Sequence, residues 1–140
     1  MATLIFSDAF VSINAVDLSD HVKSVSIDYS ADMQDDTAMG LDTKSNKPGL
    51  KDWSMSVEFH QDFATSNVDA TLFGLVGSTF AVIVRPVKSV VVGTTNPNYT
   101  ATGALESYNP IGGSVGDLAG VSASIKPAGQ ANATLVRATS

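Results

Sequence analysis

Leu50-Lys-Asp-Trp53-Ser54-Met55-Ser56-Val57-Glu58-Phe59-His60-Gln-Asp62 is the stretch whose reading decides the fold. Trp53, Met55, Val57 and Phe59 occupy every second position, with Ser54, Ser56, Glu58 and His60 between them. Side chains alternate faces along a strand, so residues 50–62 describe a β-strand with one buried and one polar side. The segment carries the only tryptophan of the chain.

The same pattern recurs upstream. In residues 23–29, Val25, Ile27 and Tyr29 face one way and Ser24, Ser26 and Asp28 the other. Residues 9–14 form an earlier strand around Val11 and Ile13, ended by a turn at Asn14-Ala15. Residues 16–22 continue as an edge segment or a one-turn hook, where Asp17 or Ser19 is placed to accept backbone N–H groups. Residues 1–8 read as an arm whose Leu4-Ile5-Phe6 should pack on the fold or on a neighbour.

Residues 30–49 lose the pattern. They hold Asp32, Asp35, Asp36, Met39, Gly40, Asp42, Lys44, Lys47, Pro48 and Gly49. Loops this long without an element of their own are uncommon in compact domains and usually functional, so a solvated or partner-bound loop is expected. Its acidic residues lack the spacing and the terminal Glu of a calcium loop, and no metal is assigned.

Downstream, residues 63–76 suggest one short helix. Ser66 or Asn67 would cap it, and Val68, Leu72, Leu75 and Val76 form its apolar stripe up to Gly77. The near-continuous apolar run of residues 79–87 suggests a central strand buried on both faces, closed by Pro86. Strands follow at 99–108 and 114–126, with a short edge strand at 133–136. The sum is a mainly β (α+β) domain of about six to seven strands, one short helix and a long loop, folded as a β-sandwich or partly closed barrel. Its core should contain Trp53, Met55, Val57, Phe59, Leu72, Val82 and Val84.

Composition narrows function by exclusion. The 140 residues, 44% hydrophobic, suit one domain over 1–140. Only 16% are charged, and small polar residues give a smooth surface suited to homotypic burial. Eight Lys and Arg against fourteen Asp and Glu leave a net charge of −6, which argues against tight nucleic-acid binding. There is no cysteine for a disulfide or thiolate site. No apolar run is long enough to span a membrane, and the N-terminal residues do not read as a signal peptide. His21 and His60 are the only histidines, without a third ligand nearby in sequence. Gly112-Gly113-Ser114-Val115-Gly116 lacks the lysine of a phosphate loop and reads as a hairpin turn. No catalytic, metal or cofactor site is assigned.

The order of these pieces resembles the tail tube (major tail) proteins of long-tailed bacteriophages. The resemblance starts at Val11-Ser-Ile-Asn-Ala-Val-Asp-Leu-Ser-Asp-His-Val and continues through the acidic loop and the Leu-Lys-Asp-Trp-Ser strand. It then takes in Val68-Asp-Ala-Thr-Leu-Phe-Gly-Leu-Val-Gly77, Val84-Arg-Pro86, Asn96-Pro-Asn-Tyr-Thr100 and Tyr108-Asn-Pro-Ile-Gly-Gly-Ser-Val-Gly-Asp117, covering nearly the whole chain. Ala15 departs from it, standing where a glycine is expected.

The resemblance implies a virion structural protein that is not an enzyme. Such subunits form hexameric rings, stacked into a hollow tube through which DNA passes. The partners would be further copies, other tail proteins at the tube ends and transient, non-specific DNA in the lumen, with no membrane and no cofactor. The protein would be made in the host cytoplasm and end in the phage tail. Within it, residues 30–49, with Asp32, Asp35, Asp36, Met39, Asp42, Lys44, Lys47 and Pro48, would form an inter-subunit loop. Ser24, Ser26, Asp28, Ser54, Ser56 and Glu58 are the lumen-facing candidates. The alternatives are another virion role (capsid decoration or tail completion), a tube subunit of a contractile or secretion machine, and a small carbohydrate-binding β-sandwich.

Overall fold

The alternation around Trp53 becomes the longest strand of the molecule, β4 (Asn46–His60), in which Trp53, Met55, Val57 and Phe59 are all buried. The computed structural model describes residues 9–65 and 67–139. The expected arm over residues 1–8 and the capping candidate Ser66 lie outside the described residues. The other elements are β1 (Phe10–Ile13), β2 (Val16–Asp17), β3 (Val22–Asp35), α1 (Val68–Leu72), β5 (Thr79–Arg85), β6 (Asn98–Tyr108), β7 (Gly120–Pro127) and β8 (Val136–Ala138). Short 3₁₀ turns follow β2, α1 and β7.

All the strands belong to one antiparallel sheet, in the order β2-β1-β5-β6-β7-β4-β3. The last strand, β8, pairs with β6 at Asn98–Thr100, along the edge that β7 occupies further on. The mainly β class with one short helix is as expected. Of the expected arrangements, sandwich or partly closed barrel, the strands form one open sheet whose hydrogen-bonded order is continuous from β2 to β3. Inward side chains of β1, β4, β5, β6 and β7 nevertheless join Val68 and Leu72 of α1 in one cluster. One sheet buries one face this way only by curving around it, with the helix as the plug.

Two backbone positions show how tightly this is built. Gly103 of β6 sits where a Cβ would meet Ile125 Cγ2 at 2.8 Å, the Lys126 carbonyl at 2.8 Å and Trp53 Cη2 at 2.9 Å. The β1–β2 hairpin turns on Asn14 and Ala15 alone, with φ of 52° and 65°. Positive φ at both centres is the type I′ geometry that fits strand twist. Asn tolerates it, while Ala carries the steric cost of its Cβ.

Several expectations are corrected. Residues 30–49 are half strand: β3 and β4 continue as a hairpin through the pairs Met33↔Pro48, Gln34↔Lys47 and Asp35↔Asn46, joined by the turn of residues 36–45. The alternation fails there because the extension lies beyond the core and both its faces meet solvent. Backbone pairing needs no apolar face. Residues 79–87 are not buried on both sides: Phe80, Val82 and Val84 point inward, while Ala81 is exposed and Ile83 half-buried. The helix is a single turn and a half of α plus 3₁₀, with Val76 half exposed. Asn67 does not cap it; its amide donates to Asp62 instead, at 2.7 Å. The strand expected at 114–126 starts only at Gly120, after positive-φ Gly113 and Gly116. The edge strand expected at 133–136 is a 3₁₀ turn (Gln130–Ala133) followed by β8.

Replacing Ala15 by Gly should stabilise the protein by about 1 kcal/mol by removing the left-handed cost. Gly103→Ala should destabilise it by about 1–3 kcal/mol through overpacking against Trp53 and Ile125. Urea denaturation followed by tryptophan fluorescence measures both, and equal midpoints for wild type and A15G would refute the first.

Candidate assembly surfaces

Cross-strand register brings the polar side chains of β3 and β4 onto one patch. Ser24 pairs with Glu58, Ser26 with Ser56, and Asp28 with Ser54. These six residues share one face, with Ser24 Oγ donating to Glu58 Oε2 at 3.3 Å. Ser54 is half-buried and the other five are exposed. The patch continues across β7 onto β6: Ser56 pairs with Ser124, Glu58 with Ser122, and Ser124 in turn with Ser107. The outer side of β3-β4-β7-β6 is therefore a four-strand surface rich in small hydroxyl side chains, acidic at Asp28 and Glu58 and basic at Lys126. Period-2 patterning finds each strand's polar side but not which strands stand side by side.

The second surface is the projecting hairpin. Its turn is closed by the Asp36 N–H on the Ser45 carbonyl at 3.0 Å and by the Ser45 N–H on Thr37 Oγ1 at 2.7 Å. The Thr37 N–H donates to Asp35 Oδ1 at 2.9 Å. All eight residues expected in the inter-subunit loop lie on this hairpin and are exposed, Met39 fully. Asp32, Asp35, Lys47 and Pro48 sit in its strands; Asp36, Met39, Asp42 and Lys44 sit in the turn region. Pro48, which has no N–H to give, stands where β7 no longer runs beside β4.

The opposite rim is held by polar contacts that link distant parts of the chain. Gln61 Nε2 donates to the Tyr108 hydroxyl at 3.1 Å and to the Pro110 carbonyl at 2.6 Å. The Tyr108 hydroxyl donates to Asp69 Oδ1 at 3.0 Å, tying β6 to α1. Partial burial, together with the Asp69 carboxylate, raises the Tyr108 pKa. Asp62 accepts from the Ala64 N–H at 2.9 Å and meets His21 Nε2 at 2.9 Å. Those two contacts, the backbone one first, hold its carboxyl below the usual carboxylate range. At the other rim Asn96, almost fully buried, donates to the carbonyls of Val87 and Val90 and accepts from the Val87 N–H.

These contacts are structural. His60 ends β4 opposite Gly120, and His21 binds Asp62 rather than joining it in a ligand set. Among the described residues, no group of three or more His, Asp or Glu side chains is arranged to hold a metal. Gly112-Gly113-Ser114-Val115-Gly116 also fits the Gly-x-Ser-x-Gly spacing of a nucleophile elbow. Ser114 is exposed in the connection between β6 and β7, without the strand-to-helix turn which that chemistry requires.

No family model and no curated protein matches the sequence. Solved structures do match the fold. A chain from an extracellular contractile injection system, described as a sheath/tube terminator in the extended state, superposes with a TM-score of 0.72 at 13% identity, covering 98% of this chain and 97% of its own. The tail tube of SPP1 gives 0.70 at 11% identity, with coverages of 99% and 80%. A chain from the tail of an empty gene transfer agent particle, solved with C6 symmetry, gives 0.62 at 15% identity, with coverages of 84% and 81%. This chain has the tail tube fold. Within that fold the hairpin and the four-strand polar face lie outside the core.

The lowered pKa of Asp62 makes a pH prediction. Its contribution to stability is fully present above the unfolded carboxylate value of 3.8 and is lost as pH falls through the lower folded value. Asp62→Asn should therefore reduce stability at pH 7 and flatten the acid limb of the stability–pH profile below about pH 4. Denaturant midpoints across pH 2–7 test this; parallel profiles for the two proteins would contradict it.

Proposed function

We propose that this chain is a virion structural protein, a tail tube subunit that assembles into hexameric rings stacked around a channel for DNA. The observation that carries the reading is an open sheet with a long edge. The fourteen-residue β3 is hydrogen-bonded to β4 and stands last in the sheet order. A long exposed edge is a template for pairing, and ring closure with identical copies removes it. The tail tube fold supports the same conclusion, as does the C6 symmetry of the gene transfer agent tail for a ring of six.

In this reading the β3–β4 hairpin reaches a neighbouring copy or ring. Ser24, Ser26, Asp28, Ser54, Ser56 and Glu58, extended by Ser107, Ser122 and Ser124, line the channel. Hydroxyl groups and two carboxylates outweigh the one cation of β7 on this face, Lys126, so DNA slides without binding. The protein has no catalytic role and needs no cofactor; its other partners are the tail proteins at the tube ends. It works in the tail after synthesis in the host cytoplasm.

Negative-stain microscopy of the purified protein tests the reading, with long hollow tubes or six-fold rings expected. Deleting residues 32–48 should leave a folded subunit that no longer forms tubes, and normal tubes would remove the hairpin from assembly. Lysine at Ser26 and Ser56 should permit tubes but slow DNA ejection from particles by attraction to phosphate. Unchanged ejection would put this face elsewhere.

A further inference from the structure

Beyond His60, β4 runs into a rim on which apolar side chains collect. Gln61 gathers that rim. Its N–H donates to the Ala119 carbonyl at 3.0 Å. Its side-chain amide donates to the Pro110 carbonyl at 2.6 Å and to the Tyr108 hydroxyl at 3.1 Å. Leu118 precedes Ala119, Ile111 follows Pro110, and Phe63 stands two residues after Gln61, so all three flank one residue. Tyr108 donates in turn to Asp69, and Phe73 lies one helical turn along from Asp69, its N–H on the Asp69 carbonyl. All four apolar side chains are exposed, Phe63 by 65% and Phe73 by 69%. Among the described residues no other phenylalanine is exposed. At those fractions the two rings present about 250 Å² of apolar area. Ile111 and Leu118 bring the rim to the size at which an apolar patch marks an interaction site. Hydrogen bonds fasten its segments to one another, so a partner meets a preformed surface and pays little to order it.

We infer that this rim is the socket for the β3–β4 hairpin of a second copy placed head to tail. The inference rests on the tail tube reading and names the surface that receives the hairpin. Hairpin turn and rim lie at opposite ends of one strand. Asn46 begins β4 beside the turn and His60 ends it at the rim, about 45 Å away along an extended chain. Displacing a copy along that strand therefore carries its hairpin onto the rim of the next. The hairpin brings apolar side chains of its own: Met33, Met39 and Leu41 are exposed on it, Met39 completely. Methionine suits such a contact because its flexible thioether fills irregular apolar gaps. A contact between two unlike surfaces leaves one free hairpin and one free rim on every assembly, so it propagates instead of closing. A two-fold pair through the rim alone would cover the phenylalanines and leave the hairpin residues bare. The open edge of β3 presents its backbone groups at right angles to the strand direction. Side-by-side and end-to-end contacts thus use different groups, and one can be removed without the other.

Two full-chain variants test this. In this cysteine-free protein, Met39→Cys and Phe63→Cys in one chain should give, on oxidation, a disulfide-linked ladder of many chains on a non-reducing gel. Either substitution alone should stay monomeric on the same gel. Phe63→Ser with Leu118→Ser, both at exposed positions, should keep the urea midpoint and the six-fold rings but lower the yield of tubes at least ten-fold in negative stain. A double-cysteine chain that stops at monomer or dimer, a dimer from either single cysteine, or tubes at wild-type yield from the double serine variant would each overturn the inference. If the wild type still forms tubes, the tail tube reading survives that failure. A ladder from a protein that makes neither rings nor tubes would instead sustain the head-to-tail contact and overturn the tail tube reading.

Discussion

A strand has two faces, and this molecule has apolar material to cover only one of them. Everything else follows from that limit. One five-residue helix and a few 3₁₀ turns cannot cover a sheet of eight strands. The sheet therefore covers itself, curving so that Val11 and Ile13 at one side share a cluster with Trp53 and Phe59 at the other. The curvature demands a close approach at the crossing of β6, β7 and β4, and Gly103 provides it. The outer face is left with serines, a few carboxylates and threonines, because nothing within the subunit is available to bury it.

What was legible in the sequence is what that constraint writes into single strands. Residues 50–59 showed their buried side plainly, and all seven named core residues are buried. Residues 23–29 show the same alternation. The extension of β3 and β4 was illegible for the converse reason. With no core beneath it, Asp32, Gln34 and Asp35 are under no pressure to alternate with apolar residues, and an unpatterned sequence reads as loop. Ile83 misled in the other direction: an apolar residue on the outer face made β5 look doubly buried.

The polar contacts were beyond one-dimensional reading altogether. Asn96, set in a run of Gly, Thr and Pro, is the buried post around which residues 87–91 wrap. His21 and Asp62 are 41 residues apart, and Gln61 and Tyr108 are 47. Nothing in spacing joins such pairs; strand order does. The same holds for the outer face, where Ser107, Ser122 and Ser124 join the six named residues only because β7 lies between β4 and β6.

Strand order also divides the molecule into parts of unequal stability. Residues 55–59 of β4 have neighbours on both sides and a buried face. Residues 46–54 have β3 alone, and before Trp53 neither strand buries a side chain there. Local opening is governed by buried contacts and paired backbone, so the hairpin belongs at the low end of the stability range. That weakness lies where it harms the subunit least. The core ends at Trp53, and the hairpin lies beyond it. A second strand alongside residues 46–54 would supply the backbone partners that β7 does not.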